Sequence, residues 1–450
     1  MEPLQETPPP HLWRNSTYLA WLTSDTSSAL GAALQSFAIP LLALFVTGSP
    51  AQAGVIAAIG QIGRILTTIP GGVLADRHDR RRLMIIGGLT GAVIGTALTG
   101  FQLAGMLGFW SLTALHLLMC LRNGLFGSVS NAALKSVVDE RSLGSALAAN
   151  QGRDAVISLS GGPVGGLLFA ISRAAPLAAI SGSHLLAAIS ARLIHADLRP
   201  SAEASPDGES GEPRAAADGR KRGVVRDFLH EAREGFGWLL HRPELRGVLF
   251  ISTILNLGVN AAVTSVVFGL QQRGEAPVTI GWVSAALGVG MLGGSILAPT
   301  LIKRFPTGPL ICAGLILISA AIATLPFVTH VWAIAVVLAA GILGAPAINA
   351  GLGGYFMAAV PTHLLGRANS AADLLSMGAV PLAPLIAGFG YLAWGWQGLL
   401  LLCAGIVTVA TALALTNRQL RSLPGPTGWA DRAAREATRS AAPAQRANQP

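Results

Sequence analysis

Long apolar runs alternate with short polar loops along most of the chain. Each run supplies the roughly 20 apolar residues that a helix needs to cross the hydrocarbon core of a bilayer. The pattern predicts twelve membrane helices, at about 17–46, 52–74, 83–103, 109–133, 145–171, 174–195, 246–271, 278–301, 309–328, 331–357, 367–390 and 393–416. Polar stretches at 1–16, 196–245 and 417–450 fall outside these runs.

The composition excludes a soluble protein. Charged residues make up 12% of the 450 residues, about half of the roughly 25% found in soluble domains. Mean hydropathy is +0.56, and there are too few charges to cover the surface of a soluble protein of this length. We therefore expect an all-α integral membrane protein.

The distribution of Lys and Arg predicts the orientation of the helices. If both tails lie on one side, that side receives 26 of the 31 basic residues, and the opposite side receives only Arg173 and Arg273. Basic residues concentrate in cytoplasmic loops. This predicts a multi-pass protein of the plasma membrane with both termini in the cytoplasm. The net charge of +9 lies in loops rather than on one polar face, so it does not indicate nucleic-acid binding.

The polar stretches have different predicted structures. Residues 199–223 are rich in Ser, Glu, Asp, Gly, Pro and Arg, which predicts a disordered linker. Residues 224–245 place Val225, Phe228 and Phe236 at helical spacing, which predicts an amphipathic helix on the cytoplasmic membrane surface, or else a connector that faces solvent. The Ala-, Arg- and Pro-rich tail at 417–450 is predicted to be disordered, like the tail at 1–16.

An internal repeat relates the two halves of the chain. Val138–Ala146 aligns with Val360–Ala368 at an offset of 222 residues, and Gly72–Asp76 faces Gly294–Pro299 with a one-residue slip. The matches predict two pseudo-symmetric six-helix bundles in the same orientation, at 17–195 and 246–416. Parallel repeats of this kind build transporters with a substrate site between the halves.

Three motifs resemble those of the major facilitator superfamily, and the resemblance covers the chain nearly end to end. The turn after the second run matches the loop signature of that superfamily at Gly72, Leu74, Asp76, Arg77, Arg80 and Arg81, although Asp79 replaces a later glycine. Arg122–Gly127 resembles the motif of the fourth helix, and Gly161–Gly166 resembles the exporter signature of the fifth. Ala38–Leu41 and Glu234–Leu239 resemble the branch that contains the enterobactin exporter and macrolide efflux proteins.

The resemblance implies a conformational gate made of Gly72, Asp76, Arg77, Arg80, Arg81 and Asp139. In the family arrangement, Asp76 would lie near the positive start of the eleventh helix, around 366–369, which favours a carboxylate. The arginines could pair with Asp139 or Glu140. The alternative is a charge cluster that serves only to orient the chain.

Several ionisable side chains lie inside the predicted helices, where an unpaired charge is costly. The candidates for proton coupling are Asp25, Arg122, Asp154 and Asp373. Arg122 is included because it matches a family position that is linked to proton coupling. Asp25 could instead reach the membrane interface, and Asp154 could form a local pair with the neighbouring Arg153.

Polar residues on helices that line the cavity in this superfamily are candidates for substrate contact: Ser28, Gln35, Arg64, Asn256 and Asn260. Polar packing between helices would explain Ser28, Gln35, Asn256 and Asn260 nearly as well, and Arg64 could instead form an internal salt bridge. Gly162, Pro163 and Gly166 predict a pliable, closely packed part of the fifth helix, and ordinary small-residue packing is the alternative.

Together these features predict a secondary transporter rather than an enzyme. The sequence has no phosphate-binding loop and no cluster with metal-ligand spacing, so we expect no cofactor and no metal. We expect a monomer, surrounded by membrane lipid, that uses the proton gradient to export a drug, a siderophore or another amphipathic secondary metabolite. The alternatives are a lipid or lysolipid flippase on the same fold and a membrane sensor that does not transport.

Overall fold

A computed structural model describes residues 15–138, 140–196, 198, 237, 239, 243–361, 364–432 and 434–435. These residues form helices and no strand. The helices are α1 (Ser16–Thr47), α2 (Pro50–Arg77), α3 (Arg80–Leu103), α4 (Phe109–Phe126), α5 (Val129–Val137), α6 (Glu140–Ile171), α7 (Ala175–Arg192), α8 (Pro243–Gln272), α9 (Pro277–Arg304), α10 (Thr307–Thr324), α11 (Val331–Ile342), α12 (Ala345–Ala359), α13 (Leu365–Gly378), α14 (Leu382–Thr416) and α15 (Arg418–Arg421). The linker at 199–223 and most of the amphipathic helix predicted at 224–245 lie outside the described residues.

The helices account for the twelve predicted membrane spans. Ten stretches of the described chain are long and apolar enough to cross a bilayer. One of them, Ala371–Thr416, has 46 residues and would rise about 69 Å as a straight helix, about twice the thickness of the hydrocarbon core. Gly395 has φ 63° inside it and divides it into two spans. With α7, which is 18 residues long, the count is twelve.

The charged turn after α2 is shorter than the sequence indicates. The helix α2 continues to Arg77, and α3 already begins at Arg80. Asp79 makes this possible because its carboxylate accepts hydrogen bonds from the backbone N–H groups of Arg81, at 2.9 Å, and Arg82. These amides would otherwise lack partners at the start of α3.

Three of the predicted spans are interrupted. The fourth divides into α4 and α5, the tenth into α11 and α12, and the eleventh between α13 and α14. In each half, one glycine packs against a backbone carbonyl next to such an interruption. The glycine belongs to the second span in the first half and to the eighth span in the second half. A Cβ at Gly71 would lie 2.6 Å from the Leu125 oxygen, and one at Gly294 would overlap the Leu343 oxygen. The same contact in both halves agrees with the internal repeat.

The contacts divide the chain into two compact units. Unit 1 contains Met1–Ala204, Val266–Gly288 and Pro384–Ala393. Unit 2 contains Ser205–Ser265, Val289–Ala383 and Trp394–Pro450. The two short segments in unit 1 come from the predicted second half, so the boundary between the units differs from the boundary between the sequence repeats.

Small residues hold α3 against α7 in unit 1. Gly88, Gly91 and Gly95 of α3 face Ala188, His184 and Ser181 of α7, with 2.7–2.9 Å between a built Cβ and the nearest atom. The Ser181 hydroxyl donates a hydrogen bond to the Ala92 carbonyl at 2.9 Å. Close backbone approach and interhelical hydrogen bonds replace the hydrophobic driving force that lipid does not supply.

In unit 2, residues 417–432, which we call the strap, pack against α10 and α12. The first two amides of α10, at Thr307 and Gly308, donate hydrogen bonds to the carbonyls of Pro424 and Leu423, at 3.4 and 3.1 Å. The Trp429 ring lies against Gly354, and its Nε1 donates to the Thr307 hydroxyl at 3.1 Å. The strap is therefore folded, whereas the sequence predicted disorder from residue 417 onward. Residues 433 and 436–450 lie outside the described residues.

Removing the Trp429 side chain is expected to loosen the strap. In Trp429→Ala, the indole hydrogen bond and the contact with Gly354 are both lost. We expect trypsin to cleave after Arg418 and Arg421 faster than in the unchanged protein, as measured by limited proteolysis in detergent. The control is Trp332→Ala, which removes a half-exposed indole of α11. Equal cleavage rates in the two variants would contradict the anchoring role of Trp429.

Candidate functional site

An ion cluster joins α1 to α6 in unit 1. The Arg153 Nη2 lies 2.5 Å from the Asp25 Oδ2 and 2.7 Å from the Asp154 Oδ1. The Arg153 Nη1 also donates to the Thr26 hydroxyl at 3.5 Å. The structure therefore brings together two of the predicted proton-coupling residues, Asp25 and Asp154, through Arg153, which the sequence suggested as a local partner of Asp154.

The two carboxylates of this cluster have different surroundings. The side chains of Asp25 and Arg153 are each 15% exposed, whereas that of Asp154 is 58% exposed. Asp25 lies about 14 Å along α1 from Ser16, and Arg153 about 20 Å along α6 from Glu140. Asp25 thus forms its ion pair with a residue of another helix, and the link between α1 and α6 depends on this pair. Asp154 neighbours Arg153 on the same helix.

A second polar chain connects α1, α3 and α4. Arg122 is 8% exposed, and its Nε donates to the Gly87 carbonyl of α3 at 2.7 Å. Its Nη1 donates to Asn123 Oδ1 at 2.8 Å, and Asn123 Nδ2 donates to Gln35 Oε1 at 3.0 Å. Arg122, predicted to act in proton coupling, thus has partners on its own helix and on α3.

The cavity candidates of unit 1 fall into two groups. Gln35 is 5% exposed, and its amide oxygen accepts a hydrogen bond from Asn123, which links α1 to α4. Ser28 lies one turn after Asp25 on the same face of α1 and is half-buried. The Arg64 side chain is exposed on α2.

The position of Arg64 on α2 can be read from the helical period. Gly60, Gly63 and Gly71 pack on α4, and Gly54 packs on the Pro384 carbonyl of α14. At 100° per residue, Arg64 lies on the strip of α2 between these two packed faces. It is therefore not on the opposite strip, which carries exposed apolar side chains.

The polar residues of α8 that were predicted to contact substrate bind the end of another helix in unit 2. Asn256 Nδ2 donates to the Ser376 carbonyl at 3.3 Å, and the Thr253 hydroxyl donates to the Leu375 carbonyl at 2.9 Å. These carbonyls lie in the last turn of α13, where no intrahelical partner follows. Asn260 is exposed and donates to the Asn256 carbonyl. Asp373 is also exposed, and within unit 2 its carboxylate has no partner among the described residues.

The predicted gate residues are bound mainly within the loop and its neighbours. Arg80 Nε donates to the Ala75 carbonyl at 3.3 Å, and its Nη1 donates to the Ser136 hydroxyl at 3.3 Å. Arg81 donates to the Arg192 carbonyl. The neighbouring Gly72, Asp76 and Arg77 are half-buried or exposed, and Asp139 lies outside the described residues.

The Gly162–Gly166 stretch of α6 lies directly against the start of α9, within unit 1. A Cβ at Gly162 would lie 2.6 Å from the Gly281 oxygen, and one at Gly166 would lie 2.6 Å from the Pro277 oxygen. A Cβ at Gly281 would overlap the Gly162 oxygen in return. The two backbones touch here, and the sequence had predicted the close packing but not the partner helix.

A family comparison identifies the protein class. The sequence model of the Major Facilitator Superfamily matches residues 24–380 and 249–448, which together span most of the chain. The chain belongs to the Major Facilitator Superfamily. It is therefore a multi-pass membrane transporter of a small molecule and not an enzyme. No curated protein matches the sequence significantly.

Solved structures of other transporters share the fold of this Major Facilitator Superfamily protein. A nucleoside transporter, NupG, has 13% identity and a TM-score of 0.65, over 88% of this chain and 99% of its own. A bacterial homologue of the iron transporter ferroportin has 16% identity and a TM-score of 0.63, over 89% and 100%. A bacterial homologue of the lysosomal transporter Spinster has 14% identity and a TM-score of 0.60, over 95% and 98%.

Two polar residues in this superfamily member were not singled out from the sequence. Asn123 links Arg122 to Gln35 and could have been suspected from its place in the Arg122–Gly127 motif. His184 of α7 is fully buried between Gly31 and Gly91, and neither ring nitrogen has a partner among the described residues. No sequence signal marks it, because one histidine in an apolar helix is compatible with ordinary packing.

A methyl group at Gly162 is expected to separate α6 from α9. Because its Cβ would lie 2.6 Å from the Gly281 oxygen, we expect Gly162→Ala to lose about 1–3 kcal/mol of stability through overpacking. The measurement is the thermal unfolding midpoint in one detergent. The matched control is Gly152→Ala on the same helix, where a Cβ meets nothing within 4 Å. A midpoint for Gly162→Ala equal to that of the control would contradict this interpretation.

Proposed function

We propose that this Major Facilitator Superfamily transporter is a proton-coupled exporter of an amphipathic compound such as a drug, a siderophore or another secondary metabolite. The observation that carries the proposal is the ion pair between Asp25 of α1 and Arg153 of α6, at 2.5 Å. An ionisable pair inside membrane helices is costly to maintain and usually serves function.

Protonation gives this ion pair two states. An ionised Asp25 accepts the guanidinium of Arg153 and holds α1 to α6. A protonated Asp25 keeps hydrogen-bonding capacity but loses its charge. The bridge between α1 and α6 then weakens, because the attraction between the two charges is lost, while Arg153 keeps its ion pair with Asp154 on its own helix. In this proposal, protonation of Asp25 weakens the contact between α1 and α6, and the proton gradient acts on the transporter through this contact.

The charge balance of the cluster supports a basic cargo. Two carboxylates share one guanidinium, so the cluster carries one net negative charge when both acids are ionised. A proton or a cationic amine can neutralise that charge, and competition between them couples proton entry to cargo exit. Ser28, on the same face of α1, and Arg64 of α2 are proposed to line the path of the cargo.

The remaining candidates take supporting roles in this proposal. Arg122 fixes α4 to α3 and also binds Asn123, which reaches α1, so its hydrogen bonds connect three helices. Asp373 is proposed as an exposed acid of unit 2 that adds a second proton site. The glycine contact of α6 with α9 is proposed as a hinge, because it has no side chains to interlock.

Export from the cytoplasm is supported by sequence features. Ala38–Leu41, Asp76–Arg82 and Glu234–Leu239 resemble the branch with the enterobactin exporter and macrolide efflux proteins. The bias of Lys and Arg supports a plasma-membrane protein with cytoplasmic termini. The proposed working form is a monomer, since one chain contains both halves.

Replacing Asp25 is expected to uncouple transport from protons. We expect Asp25→Asn to lower proton-driven transport of a fluorescent cationic amphipathic dye at least tenfold in everted vesicles with an imposed pH gradient. Asp154→Asn should cause a smaller loss, because the bridge from Asp25 to Arg153 remains. Asp431→Asn, an exposed acid of the strap, is the control. Full, uncoupler-sensitive transport in Asp25→Asn would refute the coupling role.

Asp76 is expected to affect transport without affecting stability. Its carboxylate is exposed and has no described partner within unit 1, so Asp76→Asn removes no packing contact there. We expect at least a fivefold loss of transport at an unchanged unfolding midpoint and expression level. Arg82→Gln is the control, because the Arg82 side chain is 77% exposed and lies in the same turn. Unchanged transport in Asp76→Asn would leave the charged turn with an orienting role only.

A further inference from the structure

A buried amide without a hydrogen-bond donor lies beside the ion cluster of α1 and α6. Asn150 of α6 is 7% exposed, and its Oδ1 accepts no hydrogen bond among the residues that the structure describes. A buried acceptor that lacks a donor costs free energy, so such groups are rare in folded proteins. The place of Asn150 in the helix interface indicates which donor reaches it in another state of the protein.

Asn150 lies on the face of α6 that packs against α1. Three contacting pairs set the register of these two helices, and each pair has an offset of 128 residues: Ala33 with Gly161, Phe37 with Gly165, and Asp25 with Arg153. The same offset puts Asn150 opposite Leu22, about 4.5 Å along α6 before Arg153. The amide is therefore in the same interface as the ion pair, nearly one turn from the guanidinium.

The side chain of Arg153 has the reach and the donors to bind Asn150. Residues three apart on a helix have Cβ atoms about 5–6 Å apart, and a long side chain leans toward the preceding turn, which for Arg153 contains Asn150. Nε and Nη2 bind Asp154, whereas the hydrogen bond from Nη1 to the Thr26 hydroxyl is long, at 3.5 Å. Nη1 thus retains the capacity for a shorter hydrogen bond to another acceptor.

We propose that Asn150 is a positioning residue that accepts a hydrogen bond from Arg153 Nη1 when Asp25 takes up a proton. The inference rests on the proposed function, in which Asp25 alternates between its charged and neutral forms. With Asp25 ionised, Arg153 binds across to α1. With Asp25 neutral, Arg153 turns back along its own helix, and the Asn150 oxygen gains its missing donor. The guanidinium has partners in both states, which lowers the free energy of separating α1 from α6.

Other ionisable side chains surround the pair at different levels. Tyr18 of α1 interacts with the charge of Arg153, and Asp154 stays paired with Arg153 in both states. The other helices that pack against α1 place their ionisable side chains farther away: His184 of α7 at Gly31, His116 and Arg122 of α4 and Arg64 of α2 near Gln35, and Asp76, Arg77 and Arg192 at the ends of α2 and α7. The described side chains of α5 include no ionisable group. The charge of Asp25 therefore decides where Arg153 binds.

The experiment is a double-mutant cycle on the full chain in one detergent, with the thermal unfolding midpoint as the measurement. Asp25→Asn mimics the neutral form of the acid, and Asn150→Leu removes the acceptor. We expect Asn150→Leu to lower the midpoint about 2–4 °C more in the Asp25→Asn background than in the unchanged one, because only there is a charge-assisted hydrogen bond lost. Changes in packing are common to both backgrounds and cancel in the cycle.

Two controls accompany the cycle. Gln151→Leu changes an exposed amide at the next position of α6 and should act equally in both backgrounds. Thr26→Val tests the alternative that Arg153 stays on α1 through the Thr26 hydroxyl. Equal effects of Asn150→Leu in the two backgrounds overturn the proposal, and so does a difference that appears with Thr26→Val instead. If Asn150→Leu does not fold, Asn150→Ala takes its place with the same expected difference.

A pH profile adds a readout that a packing role would not move. We expect Asn150→Leu to lower the pH of half-maximal proton-driven dye transport by about one unit, since the neutral form of Asp25 loses roughly tenfold in stability. Asn150→Asp should raise it, because a new carboxylate competes with Asp25 for Arg153. Unshifted profiles in both variants overturn the proposal. Dye transport that ignores the proton gradient in the unchanged protein refutes the proposed function, whereas the cycle still decides whether Asn150 accepts Arg153.

Discussion

Helices in a bilayer gain little from burying apolar surface against one another, so they must approach closely to hold together. In this protein the approach is made at glycines, where one backbone lies directly on another. Gly71 on α4, Gly162 on α9 and Gly294 on the carbonyl of Leu343 show the same solution in both units. A side chain at these points would separate the helices, and the composition, with 54 glycines, reflects this constraint.

Close packing leaves backbone groups at helix ends that still need partners, since lipid supplies none. The protein meets this need with short polar side chains and with other parts of its backbone. Asn256 and Thr253 serve the last turn of α13, and the strap serves the first turn of α10. Some polar residues that the sequence predicts to line a cavity, such as Asn256, therefore also donate hydrogen bonds to carbonyls at the end of another helix.

The sequence predicted the class of fold and most helix positions, because the apolar runs and the distribution of basic residues follow directly from the bilayer. It could not predict the interruptions between α4 and α5 or within the tenth span, which depend on contacts between distant segments. For the site, it singled out Asp25 as a lone acid of the first helix and Asp154 as a neighbour of Arg153. It did not predict that Arg153 would join them, because a partner 128 residues away has no local signature. The hydrogen bond between Asn123 and Gln35 was not predicted for the same reason, because the two residues are 88 apart in the sequence.

The strap also has a consequence for biosynthesis. The amides at the start of α10 depend on a segment that is made long after them, since Trp429 and Thr307 are 122 residues apart. While the ribosome is still adding α11 to α14, the first turn of α10 must rely on other partners. Unit 2 therefore reaches its final form only after the strap has left the ribosome. A tag or fusion joined before residue 429 would leave this step incomplete.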